Sequence, residues 1–319
     1  MRKYLPVWGL FCTAPLVAEF LLGDFPITFV VSLALLAPLY GGAAVLIRET
    51  ARRTGRGWPT MVLLGLAYGV FEEGILTQSL FNPDYAGAHL LERGFIPALG
   101  IALPWTLFVL TLHTVWSVGV PIAMLEELAG ERRTTPWLGR VGLIVTSVLF
   151  TAGSIAIFFG SYADGKFMAP WPRLVAVLVV VAALIVAAFK VPQPRSRTGA
   201  APRPWAPFAL TLALGAVFMV AFTEASAVVT VAGFLVLFAV AAVATVVWSG
   251  RPGWDGRHRV ALAGGALLTY AWHGFTMTSL VPSTPLIDLV SHILFAAGAV
   301  ALLGSAYRRA TPAKVPELV

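Results

Sequence analysis

The sequence contains little cysteine and little charge. Cys12 is the one cysteine among 319 residues, which excludes an intramolecular disulfide and a cysteine-rich metal site. Only 12% of the residues are charged, whereas soluble domains average about 25%. Together with 58% hydrophobic residues and a mean hydropathy of +0.84, the shortage of charge predicts a protein whose solvent is lipid.

Several familiar ligand motifs are also missing. The sequence has no glycine-rich nucleotide loop followed by a lysine, no aspartate-rich prenyl-diphosphate motif and no Cys-x-x-Cys-His motif. No feature therefore identifies a substrate. The net charge of +7 fits the basic cytoplasmic face of a membrane protein, so it gives no reason to expect nucleic acid as a partner.

Long apolar runs recur from end to end of the chain. Each approaches the ~20 residues that an α-helix needs to cross a bilayer, so we predict an all-α, polytopic helix bundle in which residues 1–319 form a single integral membrane domain. A segment rich in Pro and Arg, residues 191–207, should be a cytoplasmic linker. The predicted spans are residues 5–22, 27–47, 60–81, 104–125, 141–160, 173–189, 208–224, 228–248, 260–280 and 286–306.

The basic residues predict how these spans are oriented. Lys and Arg in short loops accumulate on the cytoplasmic side of a membrane. With the N-terminus inside, all but three of the 22 basic residues fall in cytoplasmic segments; the exceptions are Arg93, Lys166 and Arg173. We therefore predict ten spans with both termini cytoplasmic, in the cytoplasmic (inner) membrane of a bacterium, with the lipid bilayer as partner.

Two adjacent carboxylates, Glu72 and Glu73, interrupt the apolar segment of the third predicted span. A charged side chain at bilayer depth costs at least ~2.5 kcal/mol, so such acids usually face a polar interior that serves chemistry or transport. Thr77 follows Glu73 by four residues and shares its helix face. By contrast, we expect solvated positions near the span ends for the acids Glu19, Asp24, Glu126, Glu127, Asp164 and Glu224.

Histidines on three other predicted spans share the depth of Glu73. At 1.5 Å rise per residue, these side chains lie roughly 9 to 13 Å inside the outer ends of their spans. Ser117 lies one turn after His113. Asp288 precedes His292 by four residues, a spacing that lets a carboxylate orient an imidazole. The depth-matched set is Glu73, His113, His273 and His292.

Three classes of function remain open for this set. Glutamate and histidine can bind zinc or another divalent metal, or a carboxylate base can activate water alone; either chemistry indicates a membrane-embedded peptidase or hydrolase. The same groups serve proton- or cation-coupled carriers of small solutes, in which Pro15, Pro38 and Pro121 could break helices around a cavity in a five-plus-five arrangement. The third class is a non-catalytic membrane scaffold held together by polar contacts. The candidate metal ligands are Glu73, His113, His273 and His292.

The order of these residues resembles that of the glutamate and histidine intramembrane proteases of the CAAX-processing and bacteriocin-processing (CPBP) group and of the PrsW-type proteases. In this chain the adjacent Glu72 and Glu73 are followed by His113 in the next span and by His273 several spans later. The resemblance implies that one glutamate activates water. It also implies that the two histidines polarise the scissile carbonyl of a membrane peptide or bind a metal, and Asp288 and His292 would support them.

The match to those proteases is partial. Their Glu-Glu-x-x-x-Arg, Phe-x-x-x-His and His-x-x-x-Asn motifs have Thr77, Val109 and Met277 here in place of Arg, Phe and Asn. The segment 68–83 and the segment that begins at His113 also resemble parts of uncharacterised bacterial membrane proteins. This second resemblance implies membership of a protein family, but it does not imply any activity.

Overall fold

The computed structural model describes residues 4–192, 195–221 and 225–310. These residues form ten long helices, which confirms the all-α membrane class. Parts of the predicted seventh span (222–224) and linker (193–194) lie outside the described residues, as do Arg2, Lys3, Lys314 and Glu224. The helices are α1 Leu5–Phe20, α2 Ile27–Arg53, α3 Trp58–Leu76, α4 Leu103–Leu128, α5 Arg140–Gly165, α6 Trp171–Lys190, α7 Trp205–Val220, α8 Ala227–Ser249, α9 Gly256–His273 and α10 Pro285–Arg309.

Each predicted span overlaps one of these helices, but the helices differ in their ability to cross a membrane. Among the described residues, seven are long and apolar enough: α2 to α6, α8 and α10. Helices α1 and α7 are apolar but shorter. Helix α9 has 18 residues and carries Arg257 and Arg259 near its start. Length and composition therefore support seven spans, three fewer than predicted.

The third and ninth helices end earlier than predicted. Helix α3 ends at Leu76, and residues 77–81 form turns. Gln78 has a φ of 57°, which a right-handed helix cannot contain. Helix α9 ends at His273 and is followed by the 3₁₀ turn Gly274–Thr276. The membrane depths of Glu73 and His273, which were counted along continuous helices from residues 81 and 280, therefore do not apply.

A short hairpin lies in the connection from α3 to α4. Strand β1, Phe95–Ile96, pairs antiparallel with β2, Ile101–Ala102, and Phe95 is opposite Ala102. Gly100 has a φ of 71° in the loop between them, a conformation that favours glycine. The hairpin leads directly into α4. We call this end of the bundle the outer end, and the end at which α1 begins the inner end.

Four helices contain a π-helical turn, and these are the π turns of the described chain. They are Leu16–Phe20 in α1, Ala37–Gly41 in α2, Glu72–Leu76 in α3 and Leu112–Gly119 in α4. Three have a proline nearby: Pro15 precedes the first, Pro38 lies within the second and Pro121 follows the fourth. Proline lacks a backbone N–H and clashes with the carbonyl four residues earlier, and a local π adjustment accommodates both defects within a membrane helix.

Helices α1 and α2 cross at Gly41. A Cβ added to Gly41 would collide with the carbonyl oxygen of Phe11. That carbonyl is four residues before Pro15 and cannot receive the usual helical N–H. The two backbones can approach this closely because Gly41 has no side chain, as is common where membrane helices cross.

We therefore expect Gly41→Val to lower the free energy of unfolding by about 1–3 kcal/mol, because the obstacle is backbone and cannot rotate away. Reversible unfolding in mixed SDS micelles would measure the change. Gly160→Val is the matched control, since Gly160 is exposed and a Cβ there meets nothing within 4 Å. Equal stability of the two variants would contradict the close crossing.

Buried ion pairs join α2, α4 and α9 at the inner end. Glu126 on α4 lies 3.0 Å from Nε of Arg48 and 2.5 Å from Nη2 of Arg52, both on α2. Glu127 lies 2.6 Å from Nε of Arg259 on α9. Glu126 and Glu127 are only 3% and 2% exposed, so the expectation that they are solvated is wrong. Arginines from neighbouring helices reach them and balance their charge.

Candidate functional site

The two glutamates of α3 meet His113 of α4 inside the bundle. Oε1 of Glu73 lies 2.7 Å from Nε2 of His113, and Oε2 of Glu72 lies 2.8 Å from Nδ1 of the same ring. Glu72 is 2% exposed, and the other two side chains are each 6% exposed. The structure thus brings together three of the residues that the sequence indicated as a site.

The backbones of α3 and α4 approach each other through glycines. A Cβ added to Gly69 would lie 3.1 Å from Cβ of His113, and one added to Gly65 would lie 3.4 Å from a methyl of Val118. Glycines spaced by four residues commonly let membrane helices pack this closely. The short separation allows one imidazole to reach two carboxylates on the facing helix.

The π turn of α3 helps adjacent glutamates to face one partner. In an α-helix of 3.6 residues per turn, neighbouring side chains point about 100° apart. The i→i+5 bonding of the segment Glu72–Leu76 places more residues in each turn. The angle between neighbouring side chains is therefore smaller, and Glu72 and Glu73 contact opposite edges of the His113 ring.

Glu73 is fully bonded. Its Oε2 accepts hydrogen bonds from the Thr77 hydroxyl, at 3.0 Å, and from the Ser79 hydroxyl, while Oε1 contacts His113. The Ser79 oxygen in turn accepts a hydrogen bond from Nε1 of Trp105 at 3.1 Å. Three donors surround this carboxylate, an environment that stabilises its ionised form.

Glu72 is less well bonded. Its Oε1 accepts a hydrogen bond from the Tyr40 hydroxyl at 3.1 Å. Its Oε2 lies 2.8 Å from Nδ1 of His113, but the contact does not have hydrogen-bond geometry, and this oxygen has no hydrogen-bond partner among the described residues. The Tyr68 hydroxyl is also buried without a partner, although it lies within electrostatic range of Glu72. One oxygen of the Glu72 carboxylate and the nearby Tyr68 hydroxyl are thus both buried without a hydrogen bond.

Two tyrosines and a serine fix the His113 ring. Tyr40 stacks on it with a centroid separation of 5.9 Å and an interplanar angle of 21°. Tyr68 meets it edge-on, at 5.7 Å and 89°. The Ser117 hydroxyl lies 3.3 Å from Nδ1. The imidazole has little freedom to rotate, so its two nitrogens stay directed toward the glutamates.

All four π turns carry members of this site. The turn of α2 carries Tyr40, that of α3 carries both glutamates, and that of α4 carries His113 and Ser117. The turn of α1 carries Glu19, which is half-buried and within electrostatic range of Glu72 and His113. Irregular helix turns at membrane depth commonly mark functional sites, so their coincidence here supports a functional role.

His273, Asp288 and His292 lie in different surroundings. His273, at the end of α9, contacts the Thr276 hydroxyl at 3.2 Å. Asp288 accepts a hydrogen bond from the Ser279 hydroxyl at 2.7 Å, and no hydrogen bond or ion pair within the described chain joins it to His292. The expected orientation of His292 by Asp288 is therefore not observed.

The structure brings together Glu73 and His113 but leaves the other two predicted metal ligands, His273 and His292, outside their group. Neither His273 nor His292 belongs to the group formed by Glu72, Glu73 and His113, which is the one group of three or more potential ligands among the described residues. His292 instead packs beside Gly23 and Phe275. The shared depth predicted for these histidines therefore did not bring them into the group of Glu73 and His113.

The group of Glu72, Glu73 and His113 could itself hold a divalent metal. One ligand atom from each lies within 4.8 Å of the others, and carboxylate oxygens and imidazole nitrogens are the ligands that zinc accepts. Binding a metal would require His113 to exchange one of its carboxylate contacts for the ion, since both ring nitrogens already face a glutamate.

Sequence reasoning missed several side chains that complete the site. Ser79 and Trp105 act through Glu73, Tyr40 bonds Glu72, and Glu19 was placed in solvent near the outer boundary. Pro38, two residues before Tyr40, was a usable signal for an irregular helix. The hydropathy pattern contains no sign that residues 77–81 leave the helix and turn back toward Glu73.

Long apolar helices around a buried glutamate and histidine group define a multi-pass membrane protein with a buried polar site. Over residues 10–315 the chain matches a family described as an uncharacterized membrane protein family, and it belongs to that family. No curated protein and no solved structure matches the chain. The family match confirms the membrane assignment and adds no support to the likeness with the CPBP and PrsW-type proteases.

Proposed function

We propose that this protein is an intramembrane hydrolase in which Glu72 is the general base that activates water. The difference between the two glutamates carries the proposal. Glu73 has hydrogen bonds to two hydroxyls and to His113, whereas Oε2 of Glu72 lies 2.8 Å from Nδ1 of His113 without forming a hydrogen bond. A general base needs a free lone pair within reach of the proton that it removes, and Glu72 meets this requirement.

The neighbouring side chains fit the remaining steps of amide hydrolysis. Glu72 would take a proton from water as the water oxygen attacks the carbonyl carbon of a membrane peptide. The Tyr68 hydroxyl would donate a hydrogen bond to the oxyanion that forms. As the C–N bond breaks, the leaving nitrogen would receive a proton from His113, which Glu73 holds in place. Proton transfer from Glu72 to His113 would then restore the starting state.

The same three ligands allow a metal-dependent version of this chemistry. A divalent metal on Glu72, Glu73 and His113 would supply a Lewis acid that activates water. The two versions differ in their response to a chelator: the metal-free reaction persists after metal removal, whereas the metal-dependent reaction is lost and returns on addition of zinc.

We further propose ten membrane crossings with both termini cytoplasmic, in the inner membrane of a bacterium. Helices α1, α7 and α9 have 16 to 18 residues and span about 24–27 Å, close to the ~30 Å hydrocarbon thickness. The alternation of basic residues also supports ten crossings. With this orientation the Glu72 site lies nearer the extracytoplasmic surface.

The test is cleavage of a panel of fluorogenic transmembrane peptides in proteoliposomes. Glu72→Gln should fold normally and lose at least ~100-fold in rate, because general-base catalysis contributes roughly 10²- to 10⁴-fold. Glu92→Gln, which alters an exposed outer carboxylate, is the control and should retain full activity. Undiminished cleavage by Glu72→Gln, or the lack of cleavage by the wild type across the panel, would contradict the proposal.

A second candidate, a proton- or cation-coupled carrier, is favoured by the charge of the site. Two carboxylates flank one imidazole, and the group has a net charge of −1 whether His113 is protonated or one glutamate is. A buried negative charge of this kind attracts a proton or cation. Solute uptake into vesicles that depends on a pH gradient and is lost in Glu72→Gln would favour the carrier over the hydrolase.

A further inference from the structure

A groove at the inner end of the bundle lies outside the Glu72 site. It has a volume of about 550 Å³ and opens between α1, α4 and α10. Its walls include Leu5 of α1 and Leu125 and Leu128 of α4. Such walls suit an acyl chain, and the volume falls within the range of about 300–1,000 Å³ that is typical of small-molecule sites.

Two arginines lie at the rim of this groove. Arg308 and Arg309 end α10, and both are exposed. Neither forms an ion pair with a carboxylate within the described chain. The nearest carboxylates along α4, Glu126 and Glu127, are already engaged by arginines of α2 and α9. Within residues 4–192, 195–221 and 225–310 the positive charge at the rim thus has no carboxylate partner, which makes it available to a ligand from outside the bundle.

We infer that this groove binds an anionic phospholipid, with the headgroup phosphate on Arg308 and Arg309 and an acyl chain against the leucines of α1 and α4. Arginine binds phosphate through paired N–H donors. Basic pockets between membrane helices at the end rich in Lys and Arg are favourable sites for anionic headgroups. The apolar walls and the position at the ends of the helices favour a lipid over free phosphate. This site is independent of the function proposed for Glu72.

Lipid binding can be measured on the full chain in nanodiscs of phosphatidylcholine that contain a minor share of fluorescent phosphatidylglycerol. The double variant Arg308→Gln/Arg309→Gln should reduce the preference for phosphatidylglycerol by about 30-fold, because each basic residue near an anionic surface contributes about a fivefold gain. Ser305→Trp, which fills the groove from its exposed rim, should reduce binding of the labelled lipid without any change in charge.

The control variant Arg140→Gln/Lys190→Gln removes two exposed charges at the same end but outside the groove. It should change the preference by less than about twofold, because both residues lie beyond the headgroup that the groove would hold. Equal losses in the two double variants, or full binding in Ser305→Trp, would overturn the inference. Inorganic phosphate that displaces the labelled lipid in an Arg308-dependent manner would assign the site to free phosphate and overturn the lipid assignment.

Discussion

Replacing Glu126 with leucine should lower the free energy of unfolding by about 3–5 kcal/mol, because the loss of this carboxylate leaves the buried charges of Arg48 and Arg52 only partly compensated, by Glu49. Arg48 is fully buried, and Nε lies 3.0 Å from Oε1 of Glu126. Arg52 contributes two further hydrogen bonds to this carboxylate, at 2.7 and 2.5 Å. Leucine at position 126 satisfies none of these donors. Unfolding in mixed SDS micelles would measure the loss.

Arg48 cannot escape to water when Glu126 is removed. Its Nη1 donates to Glu49 at 2.6 Å, and its Nη2 donates to the backbone carbonyl of Arg133 at 2.8 Å. The guanidinium also lies 3.6 Å from the centre of the Trp137 ring. These contacts hold the charge inside the bundle, so exposure to water cannot offset the stability that is lost with Glu126.

Two further variants separate this explanation from a general effect of leucine. Glu131→Leu alters an exposed carboxylate in the next turn of chain and should change stability by less than about 0.5 kcal/mol. The pair Arg48→Met with Glu126→Leu should be more stable than Glu126→Leu alone, since it removes the buried positive charge that Glu126 balanced, while Glu49 keeps Arg53 and the backbone N–H groups of Trp137 and Leu138. If Glu126→Leu matched Glu131→Leu in stability, the buried network would contribute nothing.

The helices were predictable because membrane insertion depends on local composition. Each predicted span overlaps a helix, since ~20 apolar residues specify a crossing wherever the helix later packs. The convergence of Glu72, Glu73 and His113 was also within reach. Two acids in one apolar run and a histidine in the next apolar run should meet inside the bundle, because contact of these polar side chains with lipid is costly.

The rest of the site depends on the rotation of helices about their axes, which depth along a helix does not specify. His273 and His292 were placed at the level of Glu73, yet neither joins the group of Glu72, Glu73 and His113. The glycine contacts of Gly65 and Gly69 with α4 select which face of α3 meets His113. Such contacts depend on packing between segments that are distant in sequence, so a local sequence pattern does not predict them.

Irregular backbone limited the remaining predictions. Ser79 reaches Glu73 only because α3 ends at Leu76 and the chain turns at Gln78, whose φ is 57°. A continuous helix to Phe81 would have directed Ser79 elsewhere. The burial of Glu126 was missed for a related reason, because its arginine partners come from a helix more than 70 residues earlier in the chain.

The same substitution at Glu73 and Glu72 should have unequal effects on stability. Glu73→Leu leaves the Ser79 hydroxyl and Nε2 of His113 without their acceptor and removes one of the two acceptors of the Thr77 hydroxyl, so we expect a loss of about 3–5 kcal/mol in the free energy of unfolding. Glu72→Leu removes one hydrogen-bond acceptor, that of the Tyr40 hydroxyl, and the contact with Nδ1 of His113, which keeps its hydrogen bond to Glu73; it should cost about 1–3 kcal/mol. Both variants should lose activity.

This comparison tests the division of roles between the two glutamates. Substitution of the proposed base, Glu72, should cause the smaller loss of stability, because an oxygen that accepts a proton from water must be free of other donors. Substitution of Glu73 should cause the larger loss of stability, because Glu73 holds His113 in place. Unfolding in mixed SDS micelles, with Glu92→Leu as the exposed control, would measure both losses. A greater loss of stability in Glu72→Leu than in Glu73→Leu would reverse the assignment and make Glu73 the candidate base.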